Sequence, residues 1–282
     1  MRHHQAHIPA AVRDYSVSKE TFELIIDPEY GFLKTVPKPN KDDLNRYYDS
    51  DDYISHTDSQ RNWFEKIYQW VKKRAIQNKV KLINSGRSRG GKLLDIGAGT
   101  GDFLVEAKRQ GWDIVGFEPH QKAQQFWKEK QLTAVGNLDD IEAASLDVVT
   151  MWHVLEHVYD LEEQLTTLAR ILKKDGVLIV AVPNCESFDA KHYGAYWAAY
   201  DVPRHLWHFS QTAMEKLMTA FDFQIVKKHP MYFDSFYVSL LSEKYQTGKM
   251  NFVKAFYIGL KSNWKAKKNF QYSSIIYEIK KK

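Results

Sequence analysis

The amino-acid sequence predicts an α/β protein built on a doubly wound sheet, and three observations carry that prediction. After Gly91 short apolar runs alternate with amphipathic stretches, as strands alternate with helices in such sheets. The first run enters a glycine-rich turn, "DIGAGTGDF". The last run, "SSIIYEIKKK", lies at the end of the sequence, so the sheet closes with the final residues and the preceding helical stretch is an insertion.

Taken in order, "KLLDIG", "DIVGFE", "LTAVG", "SLDVVTMW" and "GVLIVAVP" read as strands, with helices near 101–110, 119–130, 160–173 and 211–221 between them. "FQIVKKHPMYF" and "SSIIYEIKKK" add two strands around a helical insertion over 235–268, which makes seven. Ahead of this unit (91–282), residues 1–58 read as an irregular N-terminal cap, with breaker clusters "DPEYG" and "VPKPNKDD". Residues 59–90 read as a helix and linker, in which Trp63, Ile67, Trp70 and Val71 share a face before "NSGRSRGG" ends it.

A chain of 282 residues can bury one large core or a core with a subdomain. Aromatic content of 14%, with eight Trp, suits a core or a pocket for a flat ligand. Cys185 is the single cysteine, which excludes an intramolecular disulfide and any multi-cysteine zinc site, and fits a reducing compartment. The opening residues lack an apolar signal region and no run of apolar residues is long enough to span a membrane, so a cytoplasmic location is expected. Charge is uneven: residues 227–282 hold twelve Lys against three acidic residues, on a mildly acidic body. That segment reads either as a solvated lysine face or as a surface for an anionic partner such as membrane headgroups, RNA or a phosphorylated substrate.

Gly97, Gly99 and Gly101 follow the first strand, where ligands bind in open α/β sheets and where glycine lets backbone approach them. A dinucleotide fingerprint needs its third glycine at 102, which is Asp102, and a carboxylate there repels a pyrophosphate. A cofactor without phosphates is expected.

With "LLDIGAGTGDF", Glu118 in "VGFEP" and "LDVVTMWHVLEHV" in this order, the region 91–282 resembles the class I S-adenosylmethionine-dependent methyltransferases. The resemblance implies a Rossmann-like seven-stranded sheet whose last strand is antiparallel, and S-adenosyl-L-methionine as cofactor with S-adenosyl-L-homocysteine as product. It implies that Asp95, Gly97, Gly99 and Gly101 frame the methionine end, that Glu118 accepts both ribose hydroxyls, that Asn137 and Leu138 flank the adenine, and that Trp152 and His153 contact the methionine part.

His153, Glu156 and His157 also spell H-x-x-E-H, the signature of a zinc hydrolase, which stands as an alternative. Against it, a β-branched strand runs directly into the motif, whereas such a site needs both histidines on one helix. In the methyltransferase reading, His157 and His205 are the candidates for the base that removes an acceptor proton. His205 belongs to "YDVPRHLWHFS", where Asp201, Pro203, His205 and Phe209 form a D-x-P-x-H-x-x-x-F pattern similar to a subgroup close to the ubiquinone-biosynthesis O-methyltransferases. Tyr193, Tyr196, Trp197 and Tyr200 read as aromatic walls or as core. Tyr196, Trp197, Asp201 and Tyr53 are expected to touch the acceptor, a small molecule, aromatic or lipid-linked, methylated at oxygen.

Some related chains open with a cysteine zinc ribbon. Here Asp27 and Tyr30 stand where its knuckle cysteines would be, before Gly31, so a metal-free cap over the cofactor cleft is expected, with Tyr47, Tyr48 and Tyr53 near the site. The basic insertion reads as a lid or homodimer contact, or as a peripheral membrane contact. An RNA-directed or non-catalytic member of the fold, binding through that segment, is the other alternative. DNA-base methylation is disfavoured because no N-P-P-Y-like sequence follows the fourth strand.

Overall fold

Burial orders the central sheet. The computed structural model describes residues 8–48, 63–85 and 90–282. Strand β4 (Lys92–Ile96) is buried at every position after its first, and the last eight residues of β7 (Leu172–Pro183) are all buried. Such continuous apolar runs hold strands covered on both faces. With β5 (Asp113–Phe117), β6 (Leu146–Trp152), β9 (Phe223–Pro230) and β10 (Ser274–Lys281) they form a six-stranded sheet in the order β5-β4-β6-β7-β10-β9. β4 pairs in parallel with β5 and β6, and β6 with β7. β10, the last strand, runs antiparallel to both neighbours.

The expected seventh strand, "LTAVG", contributes only a bridge between Gly116 and Ala134. Gly116 N donates to Thr133 O and Val135 N to Gly116 O, but residues 132–136 are half-buried or exposed, so no apolar face holds a longer strand there. The helical stretch near 119–130 is likewise two single turns, 121–124 and 127–130.

The helices α1 (Trp63–Asn84), α2 (Asp102–Arg109), α3 (Leu161–Ile171), α4 (Phe188–Tyr193) and α5 (Gln211–Ala220) surround this sheet. Side-chain caps set their starts: Asp160 accepts from Glu163 N, Ser187 from Ala190 N and Ser210 from Ala213 N. Between β9 and β10 the basic segment folds into two helices, α6 (Asp234–Thr247) and α7 (Phe252–Asn269). Gly248, at φ 75°, ends the first, and Asn251 caps the second through Lys254 N.

The N-terminal segment is not irregular. β1 (Ala11–Arg13), β2 (Thr21–Ile26) and β3 (Leu33–Val36) form an antiparallel sheet completed by β8 (Trp207–His208), with Leu33 opposite His208. Its inward alternation, Phe22 and Leu24, is too short to register against the breaker clusters around it. At the β2–β3 turn the Asp27 carboxylate accepts from Glu29 N and Tyr30 N at 3.0 and 2.8 Å and pairs with Lys34, while Gly31 takes φ 82°. A carboxylate thus closes this turn by hydrogen bonding.

Candidate functional site

Two cavities lie at the carboxyl ends of the central strands. The first, about 630 Å³, is bordered by Gly97, Phe117, Glu118, Asn137, Leu138 and His157, with Lys41, Leu44 and Tyr48 of the N-terminal segment closing one side. The second, about 650 Å³, is bordered by Tyr15, Asp201, Arg204, His205, Asp234, Tyr237 and Tyr245. Both volumes are typical of small-molecule sites, roughly 300–1,000 Å³. His153 borders both cavities.

The glycine turn is shaped for backbone approach. Gly97 takes φ 68°, and a Cβ there would lie 2.4 Å from Val154 Cγ2. Glu118, at the tip of β5, accepts from Gly99 N at 2.8 Å and from His120 N at 2.9 Å, which fixes its carboxylate beside the turn. The first cavity carries Glu118, Asp139, Asp160 and Glu163 against Lys41 and His153. This donor set repels phosphates and suits a cofactor that carries a positive charge and a diol, with Phe117 and Leu138 as apolar neighbours for a flat ring. The residues present therefore fit S-adenosylmethionine.

Asp95 is placed differently from the expectation. It is buried, accepts from Thr150 Oγ1 at 2.6 Å, and does not border either cavity, so it braces the turn from beneath. Burial pushes its carboxyl up to about 7. Gly99 and Gly101 shape the turn without bordering the cavity. Trp152 packs edge-on against Phe103, with Lys79 Nζ 4.5 Å from the centre of its ring. Burial lowers the pKa of Lys79, opposed by the charges of Asp95 and Asp234. Nothing in the sequence marks Lys79 among the lysines of α1.

His153 ends β6 with φ 58°, the left-handed region that histidine tolerates better than most residues. Its Nδ1 lies 3.3 Å from Glu156 Oε1 and its Nε2 3.0 Å from Asp234 Oδ2. Burial opposes charge on this ring, but the two carboxylates override it and raise its pKa to about 10. Both ring nitrogens are thereby committed to carboxylates, and residues 155–157 form a single 3-10 turn. The zinc-hydrolase arrangement of His153, Glu156 and His157 is not formed. Among the described residues, the three that do bring ligand-capable atoms within 4.8 Å of one another are Glu156, His157 and His205, the set able to hold a cation.

His157 and His205 stand with ring centres 4.5 Å apart. His157 Nδ1 lies 3.0 Å from Arg204 O and His205 Nδ1 2.8 Å from Ala199 O. A carbonyl only accepts, so each Nδ1 carries the proton and each Nε2 keeps its lone pair. Burial lowers both pKa values to about 4, His205 also acting on His157, and both rings are neutral near pH 7.

The aromatic residues divide. Trp197 belongs to the core and not to the acceptor wall: it is buried, and its Nε1 donates to Asp189 Oδ2 at 2.8 Å. Tyr193 and Tyr200 join it in a second core with Tyr47, which donates to Glu20. Tyr196 is at the surface, its ring 5.6 Å from that of Tyr15, and Tyr15 is the one that borders the second cavity. Tyr53 lies outside the described residues. Asp201 borders the second cavity and pairs with buried Arg204, which also reaches Asp14 at 3.1 Å and donates to Tyr47 O at 2.7 Å.

Comparison with known proteins agrees with this geometry. Residues 69–228 match the family model described as "Methyltransferase domain". The ubiquinone biosynthesis O-methyltransferase of Rhodopseudomonas palustris (strain BisB18) is 30% identical over 148 residues, 48% of this chain and 57% of that protein. The chain spans between 50% and 60% of the length of the first curated relatives it matches. Among solved structures, magnesium protoporphyrin IX methyltransferase from Synechocystis PCC 6803 with bound S-adenosylhomocysteine aligns at 16% identity and a TM-score of 0.56, over 86% of this chain and all of that one. An S-adenosylmethionine-dependent methyltransferase from Thermotoga maritima aligns at 19% and 0.51, over 77% and 96% of the two chains. At these identities the structural likeness concerns the fold alone.

Proposed function

From the premise that this chain belongs to the methyltransferase-domain family and is a class I S-adenosylmethionine-dependent methyltransferase, we propose that it methylates an oxygen of a small aromatic or lipid-linked acceptor held in the second cavity. The observation that carries this reading is the position of His153 on the walls of both cavities, because methyl transfer needs a cofactor site and an acceptor site that meet. Bound in the first cavity, S-adenosylmethionine supplies a methyl group on a positively charged sulfur. Glu118 holds its ribose hydroxyls, and Asn137 and Leu138 border its adenine.

The second cavity takes the acceptor. Tyr15, Tyr237 and Tyr245 give it aromatic surface, and His205 presents the lone pair of Nε2. His205 Nε2 would take the proton that the acceptor hydroxyl gives up as its oxygen bonds to the methyl carbon and the carbon–sulfur bond breaks, S-adenosylhomocysteine being the leaving group. The resulting imidazolium faces Asp201, whose Oδ2 is 3.9 Å from that nitrogen. His157, on the first cavity, orients the ring of His205 by edge contact. The names of the curated relatives support oxygen as the nucleophile.

The test is S-adenosylhomocysteine release across a panel of simple and prenylated phenols, comparing wild type with His205→Ala and His157→Ala. A general base contributes about 10²–10⁴-fold, so His205→Ala should lower kcat by at least about 100-fold with cofactor affinity intact. An unaltered rate would take His205 out of the chemistry.

A further inference from the structure

Helix α7 is built inside out. Its buried side carries Ala255, Ile258, Gly259, Ser262 and Ala266, small residues apart from Ile258, against α6 and α4, where Ser262 donates to Asp189 at 2.6 Å. Gly259 is needed there, because a Cβ would fall 2.7 Å from the Phe236 ring. Its large apolar side chains point outward: Val253 is 83% exposed, Phe256 58%, Tyr257 58%, Leu260 47% and Trp264 62%. At about 100° per residue these five positions fall within one narrow stripe, so the exposure is a continuous face rather than scattered single residues.

The same helix carries five lysines, 254, 261, 265, 267 and 268, and no acidic residue. Lys254, Lys261, Lys265 and Lys268 follow one edge of the stripe, Lys254 paired with Glu243 at 2.9 Å, and Lys267 falls within it. Lys261 Nζ lies 5.6 Å from the centre of the Tyr257 ring, and Lys268 Nζ 6.0 Å from that of Trp264. An apolar stripe rich in aromatic rings with lysines along its edge is the design of a helix that lies in a lipid interface, rings among the acyl chains and ammonium groups at the headgroups. No helix among the described residues is long and apolar enough to cross a membrane, so the contact is peripheral. Tyr237, 45% exposed on neighbouring α6, belongs to the wall of the second cavity.

We propose that the outward face of α7 is a docking surface for an anionic phospholipid membrane. Charge selects the lipid, since a membrane with acidic headgroups complements the lysines, and the exposed rings need an apolar layer that neither RNA nor bulk water provides. The proposal is independent of which acceptor the enzyme methylates.

Co-sedimentation of the full chain with vesicles tests it, using phosphatidylcholine alone and phosphatidylcholine with one-third phosphatidylglycerol. The expected result is binding to the acidic vesicles at least about tenfold tighter than to the neutral ones. Phe256→Asp with Trp264→Asp, and separately Lys261→Glu with Lys268→Glu, should each reduce that binding by about tenfold, while S-adenosylhomocysteine affinity stays unchanged as proof of folding. Brominated lipid should quench wild-type tryptophan fluorescence more than that of Trp264→Phe. The proposal is overturned if acidic vesicles are not bound, if the ring substitutions leave binding intact, if the face instead joins two copies in a dimer that Trp264→Asp dissociates, or if it retains RNA and no vesicles.

Discussion

His153 Nε2 and Asp234 Oδ2 stand 3.0 Å apart, tying the tip of β6 to the first turn of α6. Burial disfavours charge on His153, yet Asp234 and Glu156 raise its pKa to about 10, above the 6.5 of a free histidine. A group whose folded pKa is raised stabilises the fold fully below the unfolded value, and that contribution is lost as pH rises through the folded one. Wild-type thermal stability should therefore decline between about pH 6.5 and 10. Asp234→Asn should lower stability at pH 7 by about 1–2 kcal/mol, the scale of one charged hydrogen bond, and flatten the alkaline decline. Parallel Tm-against-pH curves for the two proteins would remove the pair from the account.

Glu118 is expected to hold the ribose through two hydrogen bonds to a charged group. Glu118→Ala should weaken S-adenosylhomocysteine binding by about 10–100-fold in calorimetry, and lower stability by about 1–3 kcal/mol because Gly99 N and His120 N lose their acceptor. Unchanged affinity would mean that the carboxylate serves only the backbone donors of Gly99 and His120.

Much of the central fold is legible in the sequence because its signals are local. A buried strand followed by Gly97, Gly99 and Gly101 at positive φ is written in consecutive letters. What escapes is set by partners far away in sequence. Arg204 reaches Asp14 across 190 positions, and Thr35 donates to His205 O across 170. Neither contact leaves a periodic trace. Trp197 looks like a pocket aromatic until Asp189 is seen accepting from its ring, and Asp234 looks like any helix-start acid until His153 is seen beside it. Placement is legible where a strand end dictates it and not where long-range packing does.

Cys185 gives a probe of that second core. Burial and the neighbouring Glu186 push its thiol up to about 12, so at pH 8 its thiolate fraction is on the order of a thousandfold below that of a free cysteine. Iodoacetamide should label native protein slower than unfolded protein by about that factor, followed by mass spectrometry. Comparable rates in the two states would show that the thiol is not sequestered.

Arg204 joins the N-terminal sheet to the site, and its removal should be the most damaging of these changes. Its buried guanidinium pairs with Asp201 at 2.6 Å and with Asp14 at 3.1 Å, and donates to Tyr47 O. Burial alone would raise the pKa of Asp14, but Arg204 and the backbone donors of Val17 and Ser18 hold it far below the usual carboxylate range. Replacing the arginine by methionine keeps the packing volume and leaves a buried carboxylate uncompensated, which costs about 3–5 kcal/mol. Urea unfolding should show Arg204→Met with an unfolding free energy lower by that amount, and Asp14→Asn combined with it should recover part of the loss, because the stranded charge is then gone. Lysine at 204 should not rescue, since one ammonium cannot reach Asp201, Asp14 and Tyr47 O together. An unfolding free energy within about 1 kcal/mol of wild type for Arg204→Met would mean that solvent, and not this arginine, balances Asp14.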